Sequence, residues 1–585
     1  MSRSDWLLFD RGKRRFRPAD RVTLTDNRCG FGWLRMSSAL LTVLLVSLPA
    51  YAQNQVELPT PTDNGTLPPP TSSPTAPAPP PSVTAQRRLG TAAQNQGPPA
   101  PEFQAGASVS FSESYVSNAS GLPGAEEPDY LSSLGLTSYV HEHARRLSLD
   151  ANYGGEADFY ARGTVPTQIT NNLQAVGNVD AIPSYLSLSA KAFAQPVVLS
   201  SLGVVTADNR VVPNGYSNSY GYYFNPDLTF HLGEFATSET LPSFGQVFFT
   251  NPPGALIVSP IPGVSTPDDT TSRSLTERIS SGTYFDRFNW NAIGSINETD
   301  QSQGLLSEKA GIANLGYAIN HEFSLLATAG YDGTTSTTPL NANISGPVAL
   351  GGFGLTFGKS FSLQIEAGEK YNSPSYIGSL HWDLTPRALI TASANDYVQT
   401  PEGQLLNNLT GLTARPDGSL GSADSVLEDG SPSSLSTYSI QSQGSLSLGQ
   451  NISRYQTITV SYVEAFERDR ASISLFGTRA TILSGVFIGP PKTDSWGAQA
   501  QFSHDLTPLL HASMSGYYSV DDELGSEAHT YQVQGQLGYQ LSRQTSIYVS
   551  LQYVDRVSSA ALQALSPLTG STNDVRATIG LSHTL

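Results

Sequence analysis

One pattern constrains this chain more than any other. From about Gly106 to the C-terminus, runs in which every second residue is apolar alternate with short breaks rich in Gly, Pro, Asn and Asp. In 361–396, Phe361, Leu363, Ile365 and Ala367 alternate with Ser362, Gln364, Glu366 and Gly368. Then Tyr376, Gly378, Leu380, Trp382 and Leu384 alternate with Ser375, Ser379, His381 and Asp383. Leu384 to Arg387 turns the chain into a third limb bearing Ala388, Ile390, Ala392 and Ala394. A two-residue period sends successive side chains to opposite faces of a strand. A chain made almost wholly of such strands must close its sheet or leave an edge that pairs with other molecules. The fold expected is an all-β, transmembrane antiparallel β-barrel over 105–585.

The periodicity predicts about 22 strands, within a range of 20 to 24, an even number as in single-chain bacterial barrels. The first lies at 106–116 and the last at 574–585; 435–450 counts as a strand, 451–454 as a turn and 467–493 as a loop. Short connections such as 320–322, 358–360, 506–508 and 542–544 would share one side, and long ones such as 196–215, 243–271 and 398–434 the other. Outer-membrane barrels have short periplasmic turns and long outer loops. That asymmetry puts both termini in the periplasm.

Charged residues make up 14 % of the chain, against roughly 25 % in soluble domains. Ser, Thr, Gln and Gly supply the polar face instead, which suits a wet lumen. A net charge of −17 and the lack of any basic stripe exclude nucleic acid as a partner. Residues 1–52 read as a signal peptide: Arg28 and Arg35 precede the apolar run 39–48, and Ala50-Tyr51-Ala52 has the small-x-small form of a cleavage site. Met36 is a second candidate start. The single cysteine, Cys29, falls inside that signal, so the exported chain has no thiol chemistry. Residues 53–104, with Pro68-Pro69-Pro70 and Pro79-Pro80-Pro81, read as a disordered Pro-rich periplasmic arm. No plug domain is expected, because only this arm precedes the first strand.

The candidate functional residues are those facing the lumen: Gln364, Glu366, Lys370, Ser379, His381, Asp383, Gln532, Gln534 and Gln536. His141-Glu142-His143 has no evident third ligand, so neither a metal nor a cofactor is expected. Gly351-Gly352-Phe353-Gly354 lies inside a strand with no following helix, which points to a bend or close packing rather than phosphate binding. Ser379, His381 and Asp383 lie two residues apart, ~6.5–7 Å between neighbours. That spacing is too long for a hydrogen-bonded relay, and the chain is not expected to be an enzyme.

Residues 280–290, 305–330 and 361–406, with 108–118 and 147–153, resemble outer-membrane barrels associated with PEP-CTERM/exosortase and exopolysaccharide loci. The resemblance implies a porin-like protein of the cell outer membrane tied to surface polysaccharide, and it carries no functional residues. The expected function is a channel or export component for polysaccharide or another hydrophilic solute. A general porin for small solutes and a closed structural or adhesive barrel are the alternatives. Expected partners are outer-membrane lipid, the barrel-insertion machinery and, through 53–104, periplasmic polysaccharide-export proteins, with the barrel itself a monomer.

Overall fold

A computed structural model describes residues 103–121, 127–198, 216–250, 269–301, 304–337, 343–399, 412–414, 420–422, 451–485, 492–523, 526–559 and 571–585. The chain divides into two units, Met1–Pro68, of which no residue is described, and Pro69–Leu585, which holds the barrel. The signal and Pro-rich segments, and with them the region in which a plug would precede the barrel, lie outside the described residues.

The first half of the barrel comprises β1 (Phe103–Val116), β2 (Asp129–His143), β3 (Leu147–Tyr160), β4 (Gln168–Ile182), β5 (Leu186–Val198), β6 (Tyr216–Leu232), β7 (Ala236–Thr250), β8 (Thr270–Ser281), β9 (Phe288–Gln301), β10 (Gly304–Ala318) and β11 (Phe323–Ser336). The second comprises β12 (Asn343–Phe357), β13 (Phe361–Lys370), β14 (Ser373–Thr385), β15 (Ala388–Gln399), β18 (Asn451–Ala465), β19 (Asp469–Gly485), β20 (Lys492–Thr507), β21 (Leu510–Glu523), β22 (Ser526–Gln540), β23 (Thr545–Ser558) and β24 (Thr572–Thr584). These 22 strands form one sheet, each paired antiparallel with its neighbours in sequence. A separate hairpin, β16 (Leu412–Ala414) with β17 (Leu420–Ser422), lies between β15 and β18.

The sheet closes on itself. β1 pairs with β24 from Ser108↔Thr584 to Val116↔Arg576, so the first and last strands cover each other's edges. Around that seam Asp574 Oδ1 accepts from Ser117 Oγ and from the Asn118 N–H, each at 3.0 Å. Arg576 Nη2 donates to Ser114 Oγ at 3.0 Å. Among the described residues there is no helix, so none is long and apolar enough to cross a membrane.

The two faces differ as the alternation requires. On β24, Val575, Ile579 and Leu581 are 38–53 % exposed, while Asp574, Arg576 and Thr578 between them are 3–7 % exposed. The apolar set points away from the barrel and the polar set into it. One rim carries short turns fastened by side chains. Asn320 Oδ1 accepts the N–H groups of Glu322 and Phe323, and Thr507 Oγ1 those of Leu509 and Leu510. Asn and Thr favour turns for this reason. The other rim carries the long connections.

The count of 22 agrees with the sequence expectation, but its components differ. The strand expected at 435–450 lies outside the described residues, whereas 469–485, read as loop, forms β19. Phe476 is buried on the enclosed face beside the exposed Leu475, and this apolar pair hides the alternation of β19. Asn451 to Arg454, read as a turn, belongs to β18.

The glycines of β12 make a corner. A Cβ on Gly352 would stand 1.9 Å from the Ile365 carbonyl oxygen of β13, and one on Gly368 would stand 2.1 Å from that of Ala349. Only glycine allows backbones this close. β11 and β13 thereby meet over β12, close enough for the Thr328 hydroxyl to donate to Glu366 Oε2 at 2.6 Å.

Candidate functional site: the enclosed face of the barrel

The enclosed face is layered. Toward the long-loop rim it is charged, with Asp158, Asp332, Lys370, Arg556, Asp574 and Arg576 all buried. At mid-height on β20 to β23 it is amide and hydroxyl. Gln534 faces Ser515 and Gln552, and Gln536 faces Ser513 and Ser550. Toward the turn rim it carries imidazoles. His141 Nδ1 lies 3.1 Å from Asp150 Oδ1, and His511 Nδ1 lies 2.6 Å from Asp505 Oδ1.

Each residue singled out from the sequence has a definite place. Gln364 stands opposite Ser379 on the β13–β14 ladder. Glu366 is 5 % exposed and accepts from Thr328. Lys370, 1 % exposed, has its Nζ 3.4 Å from Asp332 Oδ2 and donates to the Asp396 carbonyl at 3.2 Å. Gln532 is buried, and its Nε2 has no partner among the described residues. Glu366 and Lys370 do not pair with each other; each bonds to β11.

The spacing argument against a relay fails for one contact. His381 Nε2 lies 3.3 Å from Asp383 Oδ1, because the two side chains lean together along the strand. Cα spacing alone does not bound side-chain reach. His141, at the other motif, is stacked on Tyr139 with ring centroids 5.1 Å apart. Among the described residues no group of three or more His, Cys, Asp or Glu side chains is placed to hold a metal.

Sequence reading missed a second group. Asp332, Tyr371, Asp396 and Arg454 come together from β11, the β13–β14 turn, β15 and β18. Tyr371 donates to Asp332 Oδ2 at 2.6 Å, and Arg454 Nε donates to Asp396 Oδ1 at 2.8 Å. Arg454 Nη2 bonds to the second carboxylate oxygen of Asp396 and to the Pro374 carbonyl. Tyr371 and Asn372 form a two-residue turn with φ of 55° and 57°, the left-handed geometry of a tight hairpin. These partners lie up to 80 residues apart in sequence, so no local pattern announces them.

The β16–β17 hairpin lies against β3 and β4. Those strands stand half-way round the circuit from β15 and β18, between which the hairpin is inserted. A bore of 22 strands is ~40–45 Å across at backbone radius. The described hairpin therefore lies against the wall opposite the strands that flank it in sequence.

What these features define is a closed 22-strand antiparallel barrel with an apolar exterior, a polar interior and a two-stranded hairpin set against its β3–β4 wall. No family model matches the sequence, and no curated protein matches it. Among solved structures, the siderophore receptor PiuA from Acinetobacter baumannii is 8 % identical over 82 % of each chain, with a TM-score of 0.42. The siderophore receptor PirA from Pseudomonas aeruginosa is 8 % identical over 82 % of this chain and 80 % of its own, with a TM-score of 0.34. The FrpB iron transporter from Neisseria meningitidis is 11 % identical over 82 % of each, with a TM-score of 0.36. Similarity of this degree says nothing of what passes through the present barrel.

Proposed function

We propose that the protein is an outer-membrane channel for hydrophilic, hydroxyl-rich solutes, with polysaccharide the class that its resemblance to exopolysaccharide-associated barrels favours. The observation that carries this reading is the uncharged band of amides and hydroxyls at mid-height on β20 to β23 beneath an apolar exterior. Such a wall exchanges hydrogen bonds with a sliding sugar at nearly constant energy, since each bond lost is replaced by an equivalent one. A charged wall would trap counter-ions instead. The apolar exterior belongs in lipid, because without it the barrel would present exposed Leu, Ile and Val over its whole girth to water. In this reading both termini face the periplasm, the barrel works as a monomer inserted by the barrel-insertion machinery, and 53–104 meets periplasmic export proteins.

The β16–β17 hairpin favours a second reading, in which the bore is closed and the long loops bind partners at the surface. Liposome swelling separates the two. Proteoliposomes of the mature chain should swell in glucose and in maltose series sugars if the bore conducts. Swelling in neither sugar, before and after residues 402–449 are replaced by a Gly-Ser linker, would leave the closed barrel.

A further inference from the structure

The wall has one place where its ladder is too short. β14 and β15 pair only from Thr385↔Ala388 to Gly378↔Ala394, seven residue pairs, the fewest of any neighbours in the barrel. Crossing the hydrocarbon takes ~9–11 residues of tilted strand. Beyond that point β14 continues through Ser373–Ile377, still paired to β13, and β15 continues through 395–399, still paired to β18. The two upper halves do not pair with each other. Continued register would set Pro374 against Val398 and Tyr376 against Asp396, and proline has no N–H to give the ladder.

Side chains fill the seam instead. The Pro374 carbonyl accepts from Arg454 Nη2 at 3.0 Å and from Gln456 Nε2 at 3.4 Å. The Asp396 carbonyl accepts from Lys370 Nζ. Beside them Ser375 is 2 % exposed, and its hydroxyl has no partner among the described residues. A fastening of side chains opens by rotamer changes, which a ladder of backbone bonds does not allow. The donors it frees, from Arg454, Lys370, Gln456 and Ser375, are ready for an acceptor-rich head group, while exposed Tyr376 and Ile458 flank the seam with apolar surface.

Building on the membrane reading above, we infer that the β14–β15 seam is a lateral portal between the bore and the loop-side leaflet. It passes an amphipathic molecule with an acceptor-rich head and an acyl tail. The test uses the full mature chain in proteoliposomes containing a lysophospholipid with a diazirine in its acyl chain. Adducts are mapped by mass spectrometry after illumination. The portal predicts adducts on the exterior and also on enclosed residues beside the seam, such as Ser379, Thr391 and Ser393. An S375C/Y397C pair, oxidised to lock the seam, should lose the enclosed adducts and keep the exterior ones, and reduction should restore them. A second variant, R454M/D396L, removes the fastening and should increase enclosed adducts without any disulfide. Exterior adducts alone in the wild type and in R454M/D396L would overturn the portal and leave the membrane reading standing. Absence of exterior adducts as well would overturn both.

Discussion

Arg454 and Asp396 are 8 % and 3 % exposed and hold each other through two hydrogen bonds. Removing one partner leaves the other charge buried alone, which costs ~3–5 kcal/mol. R454A should therefore lower the urea midpoint of the refolded barrel markedly. R454M/D396L, which removes both charges, should recover most of that loss. An equal loss in both variants would show that packing, not charge compensation, holds this site. The corner glycines offer a sharper contrast, since a Cβ at Gly352 meets backbone at 1.9 Å whereas one at Gly351 meets nothing within 4 Å. G352A should destabilise by more than ~1 kcal/mol through backbone displacement, and G351A should leave the urea midpoint within error or raise it. The glycine run was legible as a bend because glycine in a strand has few other uses. The Arg454–Asp396–Pro374 group was not, because its members converge only after β13, β14, β15 and β18 have found their registers.

At the scale of the strand, alternation gives each residue one of two environments. Leu551 and Ser550 are neighbours on β23, with Leu551 59 % exposed on the apolar exterior and Ser550 on the enclosed face opposite Gln536. An arginine facing lipid near mid-bilayer costs ~2–4 kcal/mol, while one facing a polar lumen is tolerated. L551R should lower the folded fraction in liposomes substantially and S550R should not; equal effects would contradict the assignment of faces. The same alternation made most strands readable and explains where reading failed. β19 carries Leu475 and Phe476 side by side, so its period vanishes for two residues, and Arg470 and Arg479 add the look of a loop. Alternation reports which pattern a segment can adopt, while pairing partners decide whether it does. Pro374 is plain in the sequence, but its effect appears only once the register of β14 and β15 is known, since continuing that register would set Val398 against it.

For the whole molecule, the barrel's girth and the β16–β17 hairpin act in opposite directions. Closure of 22 strands makes a bore wide enough for a large solute, and in the proposed reading the β16–β17 hairpin against β3 and β4 narrows it. The amide and hydroxyl wall of β20 to β23 stays available beside that obstruction. The most direct test is planar-bilayer conductance of the refolded mature chain, alone and with residues 402–449 replaced by a Gly-Ser linker, titrated with maltose oligomers of increasing length. The account predicts a small wild-type conductance, a several-fold larger one in the replaced chain, and block that strengthens with oligomer length in both. No conductance from the replaced chain, or conductance indifferent to sugars of every length, would contradict it.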